Sequence, residues 1–316
     1  MTPPERPWLT VVMPVYNGAA TLARALASLD GQADGVEVLV VDQASRDDSA
    51  AIAQGFAGRL DLRLIDGSGN TTWIANTNMG FAAARADLVT MLHQDDQWRP
   101  GRLTALRAAV ARHPQAAFWV HGARYIDAAD RPLGRFAPPF GPRPALIPSA
   151  RAVEALLVQD TIALPAVLFR KADVQAQGLD PALWYTADWD LWLRLARRGD
   201  VSWMPEDLVD FRIHAGSLTV TGSRDAASFR QQLATPIARH IDAVPVARRA
   251  RLRALAEVSA DLNATLAAAY HGLPYRLLPL IRRLVALGPR DWWVFWRDSR
   301  ILARVLPRLR AILFRR

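Results

Sequence analysis

The chain has 316 residues, 51 % of them hydrophobic and 22 % charged, so it can bury a full core and is compatible with one large domain plus an appendage. It has no cysteine, which excludes both a disulfide framework and a thiolate metal site. The formal charge of +9 is uneven: residues 247–316 carry 15 Arg against 4 acidic residues, whereas residues 1–246 carry 24 basic and 26 acidic ones, so the basicity belongs to the tail.

Met1 to Pro7 is short, polar and proline-rich, and a strand follows almost at once. That leaves no room for a secretory signal peptide and predicts a cytoplasmic body. Leu9 to Met13 is an apolar run ended by Pro14, the pattern of a buried parallel strand. Leu22, Leu26 and Leu29 set a helix over Ala19 to Leu29, and Val36 to Val41 is a second strand ending at Asp42. Asp47 and Asp48 lead into a helix through Phe56, and Leu60 to Ile65 is the third strand. The polar, glycine-containing stretch Asn70 to Gly80 precedes a helix over Met79 to Arg85 and a fourth strand, Leu88 to Leu92.

If this sheet is parallel, four strand ends deliver Asn17, Asp42, Asp66 and the Asp95-Asp96 pair to one edge, where open α/β sheets bind ligands. Adjacent carboxylates there fit either a divalent cation bridging to phosphate or a helix start before Pro100. No Gly-x-Gly-x-x-Gly follows the first strand, and there is no Walker-type lysine loop, so dinucleotide and triphosphate-hydrolase readings lose their main support.

Arg102 to Arg112 reads as a helix, and Ala117 to Val120 as a strand followed by an apolar-polar passage through Ile126. Pro and Gly density from Pro132 to Pro148 predicts a long loop, read as a flap over an acceptor site. A helix over Arg151 to Val158 and a short strand over Pro165 to Phe169, before Lys171 to Gln177, follow. Trp184 to Ala196 is strongly amphipathic, with Asp188 placed as a helix cap, Trp189, Trp192 and Leu193 on one face, and Gly199 as the stop. Val201 to Met204 and Leu208 to Ile213 look like a strand pair, with His214 directly after.

Arg224 to Ile241 and Ala247 to Ala269 are helical by pattern, and Asp291 to Phe314 sets Trp292, Trp293 and Trp296 among leucines and arginines. No apolar run approaches the roughly 20 residues needed to span a bilayer. Aromatics beside arginines suit an interfacial helix, although packing on the main domain or on a partner gives a similar pattern. A base-reading nucleic-acid module is absent from the pattern.

Six stretches in order make the chain resemble an inverting family 2 glycosyltransferase of the type that builds bacterial polysaccharide and O-antigen chains. They are Val11 to Gly18, Val40 to Asp47, Asn76 to Arg85, Gln94 to Trp98, Asp188 to Arg194, and Phe211 to Thr219. The resemblance covers roughly residues 9 to 220. It implies an α/β GT-A fold with a mostly parallel central sheet: a catalytic domain over 1–222, with a nucleotide-binding half about 8–115 and an acceptor-binding half about 116–222. A helical, basic extension over 223–316 would meet an anionic membrane surface or a protein partner, at the cytoplasmic face of the inner membrane.

The resemblance further implies a nucleoside-diphosphate sugar donor, UDP first with dTDP or GDP open, and Mn²⁺ or Mg²⁺ at the diphosphate. The acceptor would be a lipid-linked or growing glycan, and the transferred sugar a hexose or 6-deoxyhexose. Asp95 matches the last carboxylate of the family's metal motif, His214 a residue that joins the metal site, and Asp188 the catalytic base. Pro14, Tyr16, Asn17, Asp42, Gln43, Asn76 and Arg85 match the nucleotide-binding stretches. Asp96 reads as a cap or supporting residue, Asp190 as structural, and Trp98 as either core or sugar contact.

Three departures stand out. Gln43 replaces a carboxylate that commonly reads the base, His93 replaces the first acid of the metal motif, and Ala187 replaces an acidic neighbour of the base. Imidazole suits Mn²⁺ better than hard Mg²⁺. Two rival readings remain: a nucleotidyltransferase or pyrophosphorylase, which would want a glycine-rich basic loop after the first strand, and a non-catalytic carbohydrate scaffold, which would fit if Asp188 faced away from the donor pocket.

Overall fold

The computed structural model describes residues 6–214, 216 and 221–313, and within 311–313 the backbone only. Ala215 and Ser217 to Thr219 of the last matched stretch, and Phe314 at the end of the expected terminal helix, lie outside the described residues.

The first half alternates strand and helix: β1 (Leu9–Val15), α1 (Ala19–Ala27), β2 (Val36–Asp42), α2 (Ser49–Gln54), β3 (Asp61–Asp66), α3 (Trp73–Ala83), β4 (Leu88–Met91), β5 (Gln97–Trp98) and α4 (Arg102–Arg112). The second half adds β6 (Phe118–Ile126), β7 (Pro132–Phe136), β8 (Ala145–Ile147), α5 (Ser149–Val158), β9 (Val167–Arg170), α6 (Ala172–Gln175), α7 (Ala187–Ala196) and β10 (Val201–Arg212). Helices α8 (Ala226–His240), α9 (Val246–Tyr270), α10 (Leu277–Ala286), α11 (Gly288–Ser299) and α12 (Ile301–Leu313) complete it.

One sheet runs in the order β3-β2-β1-β4-β9-β6-β10-β5, with β7 beside β6 and β8 beside β10. Strands β1 to β4 pair in parallel, β9 runs against both β4 and β6, and β10 is parallel to β6. The parallel strands therefore end on a common edge. The sheet is buried on both faces, which its near-continuous apolar strands anticipate. Leu9, Val11, Met13 and Val15 pack with Leu22, Leu26 and Leu106 on one side, while Val12 and Leu39 pack with Ile74 and Phe81 on the other.

Pro14 does not end β1. Val15 O accepts from Gln43 N at 2.8 Å, so Val15 faces β2 and Pro14 faces the opposite side, where pairing with β4 has stopped at Val12. Its missing N–H falls where the ladder has no further partner. Helix α3 starts earlier than its polar sequence suggests, because the Thr72 side chain accepts from Ala75 N and caps it. Gly80 sits where an added Cβ would lie 2.3 Å from Val12, which lets α3 press onto β1.

The expected flap over 132–148 carries two strands at its ends, with a loop between them. Pro132, at the first residue of β7, needs no ladder N–H, and β7 pairs with β6 while β8 pairs with β10. The expected strand pair after Gly199 is one strand, β10, irregular between Met204 and Val209.

Helix α7 presents Trp189, Trp192 and Leu193 to the core, each at most 2 % exposed. Burial of side chains this large is worth about 1.5–3 kcal/mol each, which makes the helix a fixed platform. Asp190 is tied to Arg194 and His240, joining α7 to α8 as a structural carboxylate.

The C-terminal helices are packed on the body. Arg151 on α5 forms an ion pair with the buried Asp298 of α11 at 2.6 Å. Helix α12 lies on β7: Arg310 donates to Leu133 O at 2.7 Å, and Pro307 comes so close that a Cβ on Gly134 would meet it at 2.8 Å. No helix among the described residues is long and apolar enough to cross a membrane.

Candidate active site

A cavity of about 350 Å³ opens at the common strand edge. From β1 it receives Pro14, Val15 and Tyr16, from β2 Gln43, from the segment after β4 His93 to Asp96, and from β10 Phe211, Arg212 and His214. Asp160 and Ile162 precede the reversed strand β9, so they arrive at the same edge, and α7 contributes Asp188 in its first turn. Arg304 and Arg308 of α12 close the far wall.

The segment after β4 is pinned to its neighbours. Tyr16 N donates to Gln94 Oε1 at 2.8 Å, and Gln94 Nε2 donates back to Tyr16 O at 3.2 Å. Gly18 makes this approach feasible, since a Cβ there would stand 2.6 Å from Gln94 Oε1. Asp96 accepts from Arg212 N at 2.9 Å through Oδ1, which fastens the segment to the end of β10. Asp96 is therefore no helix cap; Gly101 occupies that position of α4.

His214 Nε2 lies 2.9 Å from Asp95 Oδ2. Burial works to raise the Asp95 carboxyl, but the His214 hydrogen bond, with the nearby His93 ring, outweighs it and holds it below the usual carboxylate range. Burial pushes Asp96 well above that range, and the neighbouring Asp95 charge adds to the effect. Burial lowers the His93 imidazole from its ordinary value, against the Asp95 charge, which favours the neutral ring that a metal ligand must present. Ligand atoms of His93, Asp95 and Asp96 lie within 4.8 Å of one another, and His93 Nε2 and Asp96 Oδ2 are buried without a partner. Two orphaned donor atoms beside an ionised carboxylate fit a divalent cation, and the mixed imidazole-carboxylate set suits Mn²⁺ better than Mg²⁺.

Across the cavity, burial raises the Asp188 carboxyl to about 6, against the 2.8 Å hydrogen bond it accepts from Trp189 N. The cap position of α7 is Thr186, two residues before the expected Asp188. Asp160 is pushed well above the carboxylate range by burial and by the Asp188 charge. Beside them, burial lowers Arg304 to about 10 and raises Tyr185 to about 12.

Of the residues expected at the site, Pro14, Tyr16, Gln43, Asp95, Asp188 and His214 line the cavity. The others do not. Asn17, at φ 47°, accepts from Arg46 N at 2.8 Å, and Asp42 accepts from Ser45 Oγ at 2.5 Å, so both side chains shape the loop after β2. Asn76 is buried and donates to Gln43 Oε1 at 3.4 Å, acting behind the wall. Arg85 is at the opposite edge of the sheet: its Nε donates to Glu37 Oε1 at 2.7 Å and its Nη2 pairs with Asp61, near the starts of β2 and β3. Glu37 is fully buried and needs that charge, so Arg85 has no phosphate within reach of the site. Trp98 is buried under the Arg102 guanidinium, 4.4 Å from its ring centre, and is core rather than a sugar contact.

Gln94, Asp160, Tyr185, Arg304 and Arg308 were not singled out from the sequence. Arg304 and Arg308 have one usable signal, an i, i+4 spacing in a helix otherwise rich in leucine.

A model of glycosyl transferase family 2 matches residues 10–145, ending before Asp188. An uncharacterised protein of Mycobacterium tuberculosis (strain CDC 1551 / Oshkosh) is 30 % identical over 248 residues, covering 73 % of this chain and 76 % of that protein. The succinoglycan biosynthesis protein ExoU of Rhizobium meliloti (strain 1021) is 30 % identical over 202 residues, covering 60 % of this chain and 57 % of that protein. The structure of mannosyltransferase PcManGT from Pyrobaculum calidifontis in complex with GDP-Man and Mn²⁺ superposes with a TM-score of 0.56 at 19 % identity, covering 98 % of this chain and 88 % of the other.

Proposed function

We propose that the chain, which belongs to glycosyl transferase family 2 and has the GT-A fold, takes a sugar from a nucleoside-diphosphate donor by an inverting transfer in which Asp188 is the base. The observation that carries this reading is the placement of Asp188 in the same cavity as Asp95 and His214, with its carboxyl raised to about 6. A general base works best when its pKa lies near the working pH. A scaffold without catalysis would not need a carboxylate so placed, and the loop after β1 has neither the glycines nor the charge that a pyrophosphorylase would use.

In this reading the acceptor hydroxyl oxygen attacks the anomeric carbon and its proton passes to an Asp188 oxygen. The bond from that carbon to the diphosphate breaks on the opposite face, and its electron pair leaves with the nucleoside diphosphate. Asp95 and His214 would hold a divalent cation, with His93 as a further nitrogen ligand. Such a cation supplies counter-charge to the departing diphosphate. Pro14, Tyr16 and Gln43 would wall the nucleotide, with Asn76 orienting Gln43.

ExoU is named for succinoglycan biosynthesis, which supports a lipid-linked or growing glycan as acceptor. Trp293 and Trp296, Leu302, Leu306 and Leu309 are exposed among arginines on α11 and α12, which supports presentation of that acceptor at an anionic membrane surface. The deciding experiment is a donor panel of UDP, dTDP and GDP sugars with Mn²⁺ or Mg²⁺, reading transfer, hydrolysis and binding, with sedimentation on anionic vesicles from the same preparations. Asp188→Asn should lower transfer by about 10²- to 10⁴-fold while nucleotide affinity stays within a few-fold. Near-normal turnover in that variant would remove Asp188 as base.

A further inference from the structure

Helix α12 has two different faces. Leu302, Leu306 and Leu309 are exposed, whereas Arg304, 7 % exposed, and the half-buried Arg308 line the cavity. Arg304 Nη2 donates to Asn263 Oδ1 at 3.0 Å, but its Nε is buried with no partner. Arg308 lies 5.8 Å from the Tyr125 ring centre, and its Nη1 donates to Arg304 O at 2.6 Å. Among the described residues neither guanidinium has an ion pair with a carboxylate. A guanidinium buried against its own kind, with an unsatisfied N–H, is an arrangement that an anion completes.

Asn263, the partner of Arg304, donates through Nδ2 to Gln159 Oε1 at 2.6 Å, just past the end of α5 and beside Asp160, and Trp189, the neighbour of Asp188, donates to Leu156 O on the same helix at 2.6 Å. Asp95 bonds instead to His214, at 2.9 Å, after the end of β10. The arginines therefore border the side of the base, where an acceptor enters, and not the side of the expected cation, where the donor diphosphate sits. We propose that Arg304 and Arg308 form a binding subsite for a phosphoryl group carried by the acceptor. This rests on the reading of Asp188 as the base only for the location of the acceptor; the anion binding itself does not need turnover.

The test uses the full chain with Mn²⁺ and UDP saturating, or GDP or dTDP if the donor panel selects it, so that the donor diphosphate position is filled. Inorganic pyrophosphate and farnesyl diphosphate are then titrated by calorimetry. Arg308→Gln and Arg304→Gln should each weaken both probes by about tenfold or more, with nucleotide affinity changed by less than about twofold. Arg308→Lys should retain part of the affinity, with a steeper salt dependence. Because Arg304 is packed, the half-buried Arg308 carries the test if Arg304→Gln fails to fold. Farnesyl diphosphate binding well above pyrophosphate would identify a lipid-linked phosphate, and equal binding a phosphorylated glycan; both support the subsite. Unchanged probe affinity in the Arg308 variants, or an equal loss of nucleotide affinity, would overturn it. Full turnover in Asp188→Asn would overturn the base while leaving the binding result standing.

Discussion

Asp95 and Asp188 line one cavity, and burial works to raise both carboxyls. Beside Asp95 stand His214, at 2.9 Å, and His93, and these hold it ionised. Beside Asp188 stand a backbone N–H and a second carboxyl, Asp160, so burial wins and the group rises to about 6. The same residue type is thereby set up for opposite tasks by its partners: a permanent anion suits a cation and a diphosphate, whereas a carboxyl that titrates near neutrality suits the exchange of a proton.

The largest break of this contrast is Asp95→Asn. Removing the ionised carboxylate should abolish the dependence of turnover on Mn²⁺ and lower transfer on the order of 10²- to 10³-fold, matching the loss of several kcal/mol of charge stabilisation. Asp188→Asn should leave Mn²⁺ affinity, read by competition or paramagnetic titration, within a few-fold. Metal affinity lost equally in both variants would mean that the two carboxylates belong to one site.

A smaller effect is read from pH. Transfer requires Asp188 as the carboxylate, so kcat/KM should fall with unit slope, about tenfold per pH unit, below about 6. Asp95 is held below the usual range and should stay ionised through that window, so its own proton adds nothing to the limb. A profile flat between pH 5 and 7 would detach the chemistry from Asp188.

Much of the donor side was legible in the sequence, because the strands there are short, mostly apolar runs followed by polar residues, and a parallel sheet carries those residues to one edge. Asp95 is placed by that rule, Gln43 only by the family resemblance, and Asn17 and Asp42, which the rule also brings to the edge, turn into the loop after β2. Arg85 could not, because its partner is the buried Glu37, and nothing in the run Val36 to Val41 says which cation will neutralise a carboxylate two residues into a strand. Strands β7 and β8 were hidden among prolines, since their pairing with β6 and β10 depends on neighbours far along the chain. Arg304 lies about 140 residues beyond Asp160, and its approach depends on α12 docking on β7 through Pro307 and Gly134. A leucine-arginine tail looked like a surface element, and only packing reveals that its arginines turn inward.

The smallest predicted effect separates a strained base from a helix cap at Asp188. A carboxyl whose pKa is higher in the fold than in the unfolded chain destabilises the folded state when ionised. The penalty is full above about pH 6 and vanishes as pH falls through the unfolded value near 4. Asparagine keeps an oxygen for the Trp189 N–H and carries no charge, so Asp188→Asn should stabilise the protein by about 1–3 kcal/mol at pH 8 and by little at pH 4. Urea unfolding at the two pH values measures the difference. Asparagine and aspartate cap helices about equally well, so a plain cap predicts no gain at either pH. A gain at pH 8 alone, alongside lost transfer, would show that the fold bears a cost for holding this carboxyl where an acceptor hydroxyl can reach it.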